Sequence, residues 1–200
     1  MEFEVTSAPT TEPIVTADVE SYCQYGTLPT DQATAIAIMI SAARAAVEKR
    51  LRRQLLTATW KAYLDEFPDA DEGGQEIEIK DKLPITAVTS ITYVDGNGAT
   101  QTLAASAYQV DCASKQSPCR INPAYGTSWP STRPDTPKAV CVTFTAGYGA
   151  AASVPGSIKL AMLLLVANWV RNREAAGVSV NPLPFGFDLA LEAEDWGPYS

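Results

Sequence analysis

The feature that most constrains this chain is Ile158–Val170, a run of roughly 13 residues, apolar on almost every side and well short of the ~20 that a membrane span requires. Only Lys159 and Asn168 interrupt it with strongly polar groups. A helix apolar all round has to be covered on more than one flank. The residues before it extend the constraint. Val140, Val142 and Phe144 alternate with Ala139, Cys141 and Thr143, the period of a strand. Gly147 and Gly149 break that strand, and Pro155 suits a first helical turn, where its missing N–H would have no partner. Strand, glycine turn and buried helix make Ala139–Glu174 the unit around which the rest is organised. Arg171, Arg173 and Glu174 close the helix before Gly177 and read as a hinge ahead of the chain end.

Residues 1–15, rich in Thr, Pro and Glu, read as a flexible arm, with no resemblance to a signal or transit peptide. Thr16 is placed to cap a short helix with Asp18 and Glu20 in its first turns, where the helix dipole favours acids. A second helix starts at Thr30-Asp31. Its apolar positions Ile36, Ile40, Ala43, Val47 and Leu51 recur at helical spacing. Many of its other positions are alanine, which lets a neighbouring helix approach closely. Helices are therefore expected over 16–55, and a core helix over 154–175.

Between them the pattern changes to period two. Leu56, Ala58, Trp60, Ala62 and Leu64 alternate with polar residues as a half-buried strand. Further short strands are expected at Glu76–Lys80, Ala87–Val94, Tyr108–Asp111 and Arg120–Ile121. Asp95-Gly96-Asn97-Gly98 is a hairpin signal, because Gly and Asn reach positive φ at little steric cost. Residues 122–137, with Trp129 among prolines and glycines, read as an ordered loop. The fold class expected is α+β: a small helical bundle carrying an antiparallel β insertion over 56–146, followed by an extended tail over 178–200. That tail has little patterning yet keeps Phe185, Phe187, Leu189, Leu191, Trp196 and Tyr199, the composition of a segment that docks.

Chemistry has little to stand on. The chain has no histidine, so the commonest general base and metal ligand are missing. Its serines lack a GxSxG elbow, and no Walker lysine motif occurs. Gly147-x-Gly149-x-x-Ala152 formally matches a dinucleotide fingerprint, but Pro155 delays the helix whose N-terminus would have to meet the pyrophosphate. Neither an enzyme nor a cofactor is expected, a small nucleotide-binding enzyme being the remote alternative. The acidic run Asp65–Glu72 lacks EF-hand spacing and reads as a solvated loop. Cys23, Cys112, Cys119 and Cys141 show no CxxC spacing and read as free thiols of a reducing compartment, although Cys112 and Cys119 could pair across a hairpin.

The basic cluster Arg44, Lys49, Arg50, Arg52 and Arg53 admits three readings: a solvated helix end, a contact with an acidic patch on a neighbouring subunit, or a contact with DNA phosphates. A net charge of −8 opposes the third, since non-specific DNA affinity comes from Lys and Arg neutralising phosphates.

Five stretches in order carry a family resemblance: AARAAVEKRLRRQLLTATW, LPITAVTSITYVDGNG, Tyr108-Gln-Val, Trp129-Pro130, and VTFTAGYG followed by VPGSIKLAMLLLVANWVRNRE. Together they resemble the gp6-like head–tail connector proteins of tailed bacteriophages, in the variant with a β insertion found in prophages and gene transfer agents. The resemblance covers roughly residues 15–175. It implies a structural adaptor made in the bacterial cytoplasm and built into the virion neck, in a twelvefold ring under the portal protein. That ring would extend the channel for passing double-stranded DNA, without sequence-specific binding or a membrane, and would receive a stopper or tail-completion protein. The alternative within the neck is that the chain is itself the stopper or tail-completion protein. On the adaptor reading, Ile158, Met162, Leu165, Trp169, Ile36, Ile40, Val47 and Leu51 pack the subunit and part of the ring contact. Arg44, Arg50, Arg52, Arg53, Arg171 and Arg173 are candidates for charge contacts between subunits, and the tail aromatics and leucines for docking on the portal.

Overall fold

In the computed structural model, residues 1–24, 29–69, 75–112, 117–171, 185–192 and 194 are described. The fold is α+β, with eight strands and four α-helices among the described residues. It divides into a β unit, Met1–Ala8 with Thr57–Gly147, and a helical unit, Pro9–Leu56 with the described residues from Tyr148 on.

The β unit is built on β8 (Val140–Ala146), whose alternation follows the sequence: Val140, Val142, Phe144 and Ala146 are buried and Cys141, Thr143 and Thr145 between them are partly exposed. It lies at the centre of an antiparallel sheet ordered β1-β2-β8-β4-β5. On one side β2 (Ala58–Leu64) sets Trp60 opposite Phe144 and Ala62 opposite Val142, so the alternating apolar sets of both strands share a face. On the other side β4 (Ile85–Val94) joins through two register shifts, between Ile85 and Ala87 and between Val88 and Ser90. Each shift inserts a residue, so Ile85, Val88 and Ile91 reach one cluster at a spacing of three. A second sheet, β3 (Ile77–Ile79), β7 (Cys119–Pro123) and β6 (Tyr108–Asp111), adds Ile77, Ile79 and Ile121 to that cluster.

Asp95–Gly98 turns β4 into β5 (Thr100–Thr102), with Thr92 opposite Thr102. The Asp95 carboxylate accepts from the Asn97 and Ala99 backbone N–H groups at 2.9 and 3.0 Å and from the Gln101 amide at 2.9 Å, while Gly98 takes φ +83°. Trp129 is ordered as expected of its loop: it stacks on Phe67 at 4.8 Å and donates to the Gln75 carbonyl at 2.7 Å.

Two expectations are corrected in the β unit. Residues 1–15 are not a flexible arm. Glu2–Ser7 form β1, an edge strand paired with β2, with Phe3 edge-on to Phe144 at 6.4 Å. The alternation of Phe3 and Val5 with acids carries too few residues to be read as a strand without its partner, which lies more than fifty positions away. The second correction concerns the thiols. Cys112 and Cys119 form a disulfide across the β6–β7 hairpin, while Cys23 and Cys141 are free.

The helical unit holds α1 (Thr16–Cys23), α2 (Thr30–Leu51), α3 (Gly156–Arg171) and α4 (Phe185–Glu192). At the start of α1 the Asp18 carboxylate accepts the Val15 N–H at 2.7 Å, relieving one of the unpaired donors of a first turn. Helix α3 is the apolar run, and its covering is now visible. Ile158, Ala161, Met162, Leu165 and Val166 are buried with Val19 of α1 and Ile36, Ile40 and Val47 of α2. Its other flank is met by α4. Phe187 and Leu191 are 3% exposed in the same core, and Gly186 sits where a Cβ would lie 3.4 Å from Leu164. Residues 185–192 are therefore a packed helix and not an extended arm, because α3 keeps an apolar flank that α1 and α2 do not reach.

Candidate functional site

The basic end of α2 divides into two sets. Arg44 is turned inward: its guanidinium donates to Glu12 at 2.7 and 3.3 Å and to Glu48 at 3.1 Å. Burial alone would lower the Arg44 pKa, but the bond to Glu12 and the field of Glu48 outweigh it and hold it above its ordinary value. Arg53 is 4% exposed, donates to the Tyr148 hydroxyl and lies 4.0 Å from Glu194. Burial raises the Tyr148 pKa against the lowering effect of Arg53. Ser157 donates to Glu194 at 2.9 Å, so this network ties the exit of α2, the start of α3 and the residue beyond α4.

Glu48 is the hub. Besides Arg44, its carboxylate accepts the Gln54 amide at 2.8 Å and the Leu55 N–H at 3.0 Å. Its backbone carbonyl accepts the N–H of Arg53, after Arg52 takes the left-handed conformation that closes the helix. Neither Glu48 nor Glu12 was singled out from the sequence. A lone acid in a basic run was the available signal for Glu48; Glu12, more than thirty residues away, offered none.

What faces solvent is the second set. Arg50, Arg52 and Arg171 are exposed; Arg173 lies outside the described residues. Two of the residues expected to make charge contacts between subunits, Arg44 and Arg53, are thus committed inside their own chain. Of the residues expected to pack, Ile158, Met162, Leu165, Ile36, Ile40 and Val47 are buried in the core of the helical unit, and Trp169 and Leu51 flank it half-buried. Of the residues expected to dock, Phe187 and Leu191 belong to the chain's own core and Leu189 is 58% exposed; the Phe185 side chain, Trp196 and Tyr199 lie outside the described residues.

Two outward surfaces stand out. Along α2 the exposed positions between Asp31 and Lys49 are Thr34, Ala35, Ala37, Ile38, Ser41, Ala42, Ala45 and Ala46, without a charge, and Ile38 is 67% exposed. Beside it an apolar groove of about 630 Å³ is lined by Ile14, Val15, Ala37, Ile40 and Ala150–Ala152. No group of three or more metal-ligating side chains occurs among the described residues. None of the described helices is long and apolar enough to cross a membrane. Helix α3 opens at Gly156, well past Gly149, so no helix N-terminus meets the glycine turn as a pyrophosphate site requires.

No family model matches the chain, and no curated protein matches it. Solved structures do. A chain in the virion of a native gene transfer agent particle is 22% identical, with a TM-score of 0.74, over 96% of this chain and 94% of that one. A chain in the neck of an empty gene transfer agent particle, computed with C6 symmetry, is 24% identical with a TM-score of 0.72, over 100% of this chain and 97% of that one. A third, in the neck of a native particle computed with C12 symmetry, is 21% identical with a TM-score of 0.68, over 100% and 97%. The fold of this chain is that of proteins found in these particles, end to end.

Proposed function

We propose that this chain is a structural neck protein of a phage-like particle, the head–tail adaptor that forms a ring beneath the portal and receives the stopper or tail. The observation that carries the reading is the end-to-end fold match with chains of gene transfer agent necks. Twelvefold symmetry in one of those necks supports a ring of twelve. An acidic chain of net charge −8 suits a conduit that double-stranded DNA must pass without sticking. The chain acts here as a scaffold and not as a catalyst, with the portal above it and a stopper or tail-completion protein below.

Portal docking falls to the chain end beyond Glu194, where Trp196 and Tyr199 lie. Removing everything from 178 on would strip Phe187 and Leu191 from the core, so the clean truncation ends at Glu194. Negative-stain imaging of the full chain mixed with its own portal tests the reading: added annular density is expected, and none would refute it. The truncated chain should stay folded and lose portal binding; undiminished binding would remove docking from those residues.

A further inference from the structure

Within the helical unit, α3 packs against α2 and against α4, which do not pack on one another to any comparable extent. The outward faces of α2 and α4 are therefore two different surfaces of one subunit. Both are apolar at their centre, and their charges are opposite. The C-terminal half of the α2 face runs Ala42, Ala45 and Ala46 and ends one turn later in exposed Lys49 and Arg50. The α4 face presents Leu189, 58% exposed, between exposed Asp188 and Glu192. Small residues on one helix allow close approach of another, and Leu189 set over those alanines brings the α4 carboxylates to the level of Lys49 and Arg50.

We infer that the partner of each face is the other face of a second copy of this chain: α4 of one subunit docks on α2 of the next. A contact between two unlike faces propagates head to tail and closes into a ring when the rotation permits. Burial of Leu189 supplies the apolar centre. The charged rims set register and exclude the face-to-same-face contact, in which like charges would meet. This assignment rests on the ring reading above and adds to it the surfaces that build the ring.

The test uses two full-length variants, each reversing one rim: K49E/R50E, and D188K/E192K. All four positions are exposed, so both variants should fold, as far-UV circular dichroism will report. Each alone then carries two rims of the same sign. Each should lose annular density on the purified portal, with occupancy at least tenfold below wild type. Mixed in equal amounts the two variants become complementary, basic α4 against acidic α2 and the reverse, and occupancy should return to within about threefold of wild type. Two folded variants that each assemble like wild type, or a mixture that recovers nothing, overturn the face assignment while leaving the neck reading intact. A wild-type chain that adds nothing to the portal overturns the neck reading and this inference with it.

Discussion

Glu48 offers the sharpest test of how the helical unit is held. In Glu48→Ala the backbone cap on Arg53 remains, because it uses the carbonyl; only the carboxylate is lost. Two donors in dry surroundings lose that acceptor: the N–H of Leu55, a residue 0% exposed, and the amide of Gln54, 3% exposed. A buried donor deprived of its acceptor costs roughly 1–3 kcal/mol, and the i,i+4 pair with Arg44 adds about 0.3–0.5 kcal/mol. The higher helix propensity of alanine offsets a few tenths of a kcal/mol. With two such donors the sum is a loss of roughly 2–6 kcal/mol. Glu48→Gln keeps an oxygen for Leu55 and forfeits mainly the charge, so about 1 kcal/mol is expected. Urea denaturation followed by circular dichroism at 222 nm, with slopes compared to check that the transition is unchanged, measures both. An alanine variant within about 0.5 kcal/mol of wild type, or a glutamine variant as damaged as the alanine one, would refute the hub.

Phe144→Ala should cost about 3–5 kcal/mol, since the ring is 0% exposed and touches strands on both sides of β8; a loss under ~1 kcal/mol in the same urea assay would mean that the sheet centre is not packed as described. Asp95 is held below the ordinary carboxylate range, first by the Gln101 side chain and then by the turn amides. Its depressed pKa gives the hairpin stability that is present above the unfolded value of ~3.9 and lost as pH falls through the folded one. The Asn97 and Ala99 amide NMR signals should titrate with a midpoint below that value, and a midpoint at or above it contradicts the turn geometry. Tyr63 donates to Glu4 at 2.7 Å, and that bond raises its pKa to about 12. A raised pKa contributes stability in full below the unfolded value of ~10, lost as pH rises through about 12. Ultraviolet titration should show a late-titrating tyrosine that Glu4→Gln brings down, beside the raised Tyr148 that it leaves unchanged; an unchanged titration in that variant would detach Tyr63 from β1.

Local order was legible where a single element carried its own pattern. The period of Val140, Val142 and Phe144, the α2 stripe from Ile36 to Leu51, the Asp95–Gly98 turn and the all-round apolarity of α3 each announced an element from adjacent residues. The last also announced that α3 needed cover on two flanks. What it could not say was who would supply the second. Phe187 and Leu191 looked like a docking arm because their partner, α3, is not adjacent in sequence. Edge strand β1 was hidden for the same reason; β4 was expected over Ala87–Val94, but not the two bulges that replace its spacing of two by a spacing of three. The basic run of α2 read as one cluster because charge is visible in a sequence and pairing is not; Glu12, Tyr148 and Glu194 draw Arg44 and Arg53 inward and leave Lys49 and Arg50 outside. By itself, then, the sequence determined the helices, strands and turns whose pattern is carried by adjacent residues, and that the chain is α+β, but not β1 or α4, whose partners lie far away in the chain. Only the tertiary structure decided which apolar faces are spent on the chain's own core and which remain exposed, because that depends on partners far apart in sequence and on charges cancelled where they meet.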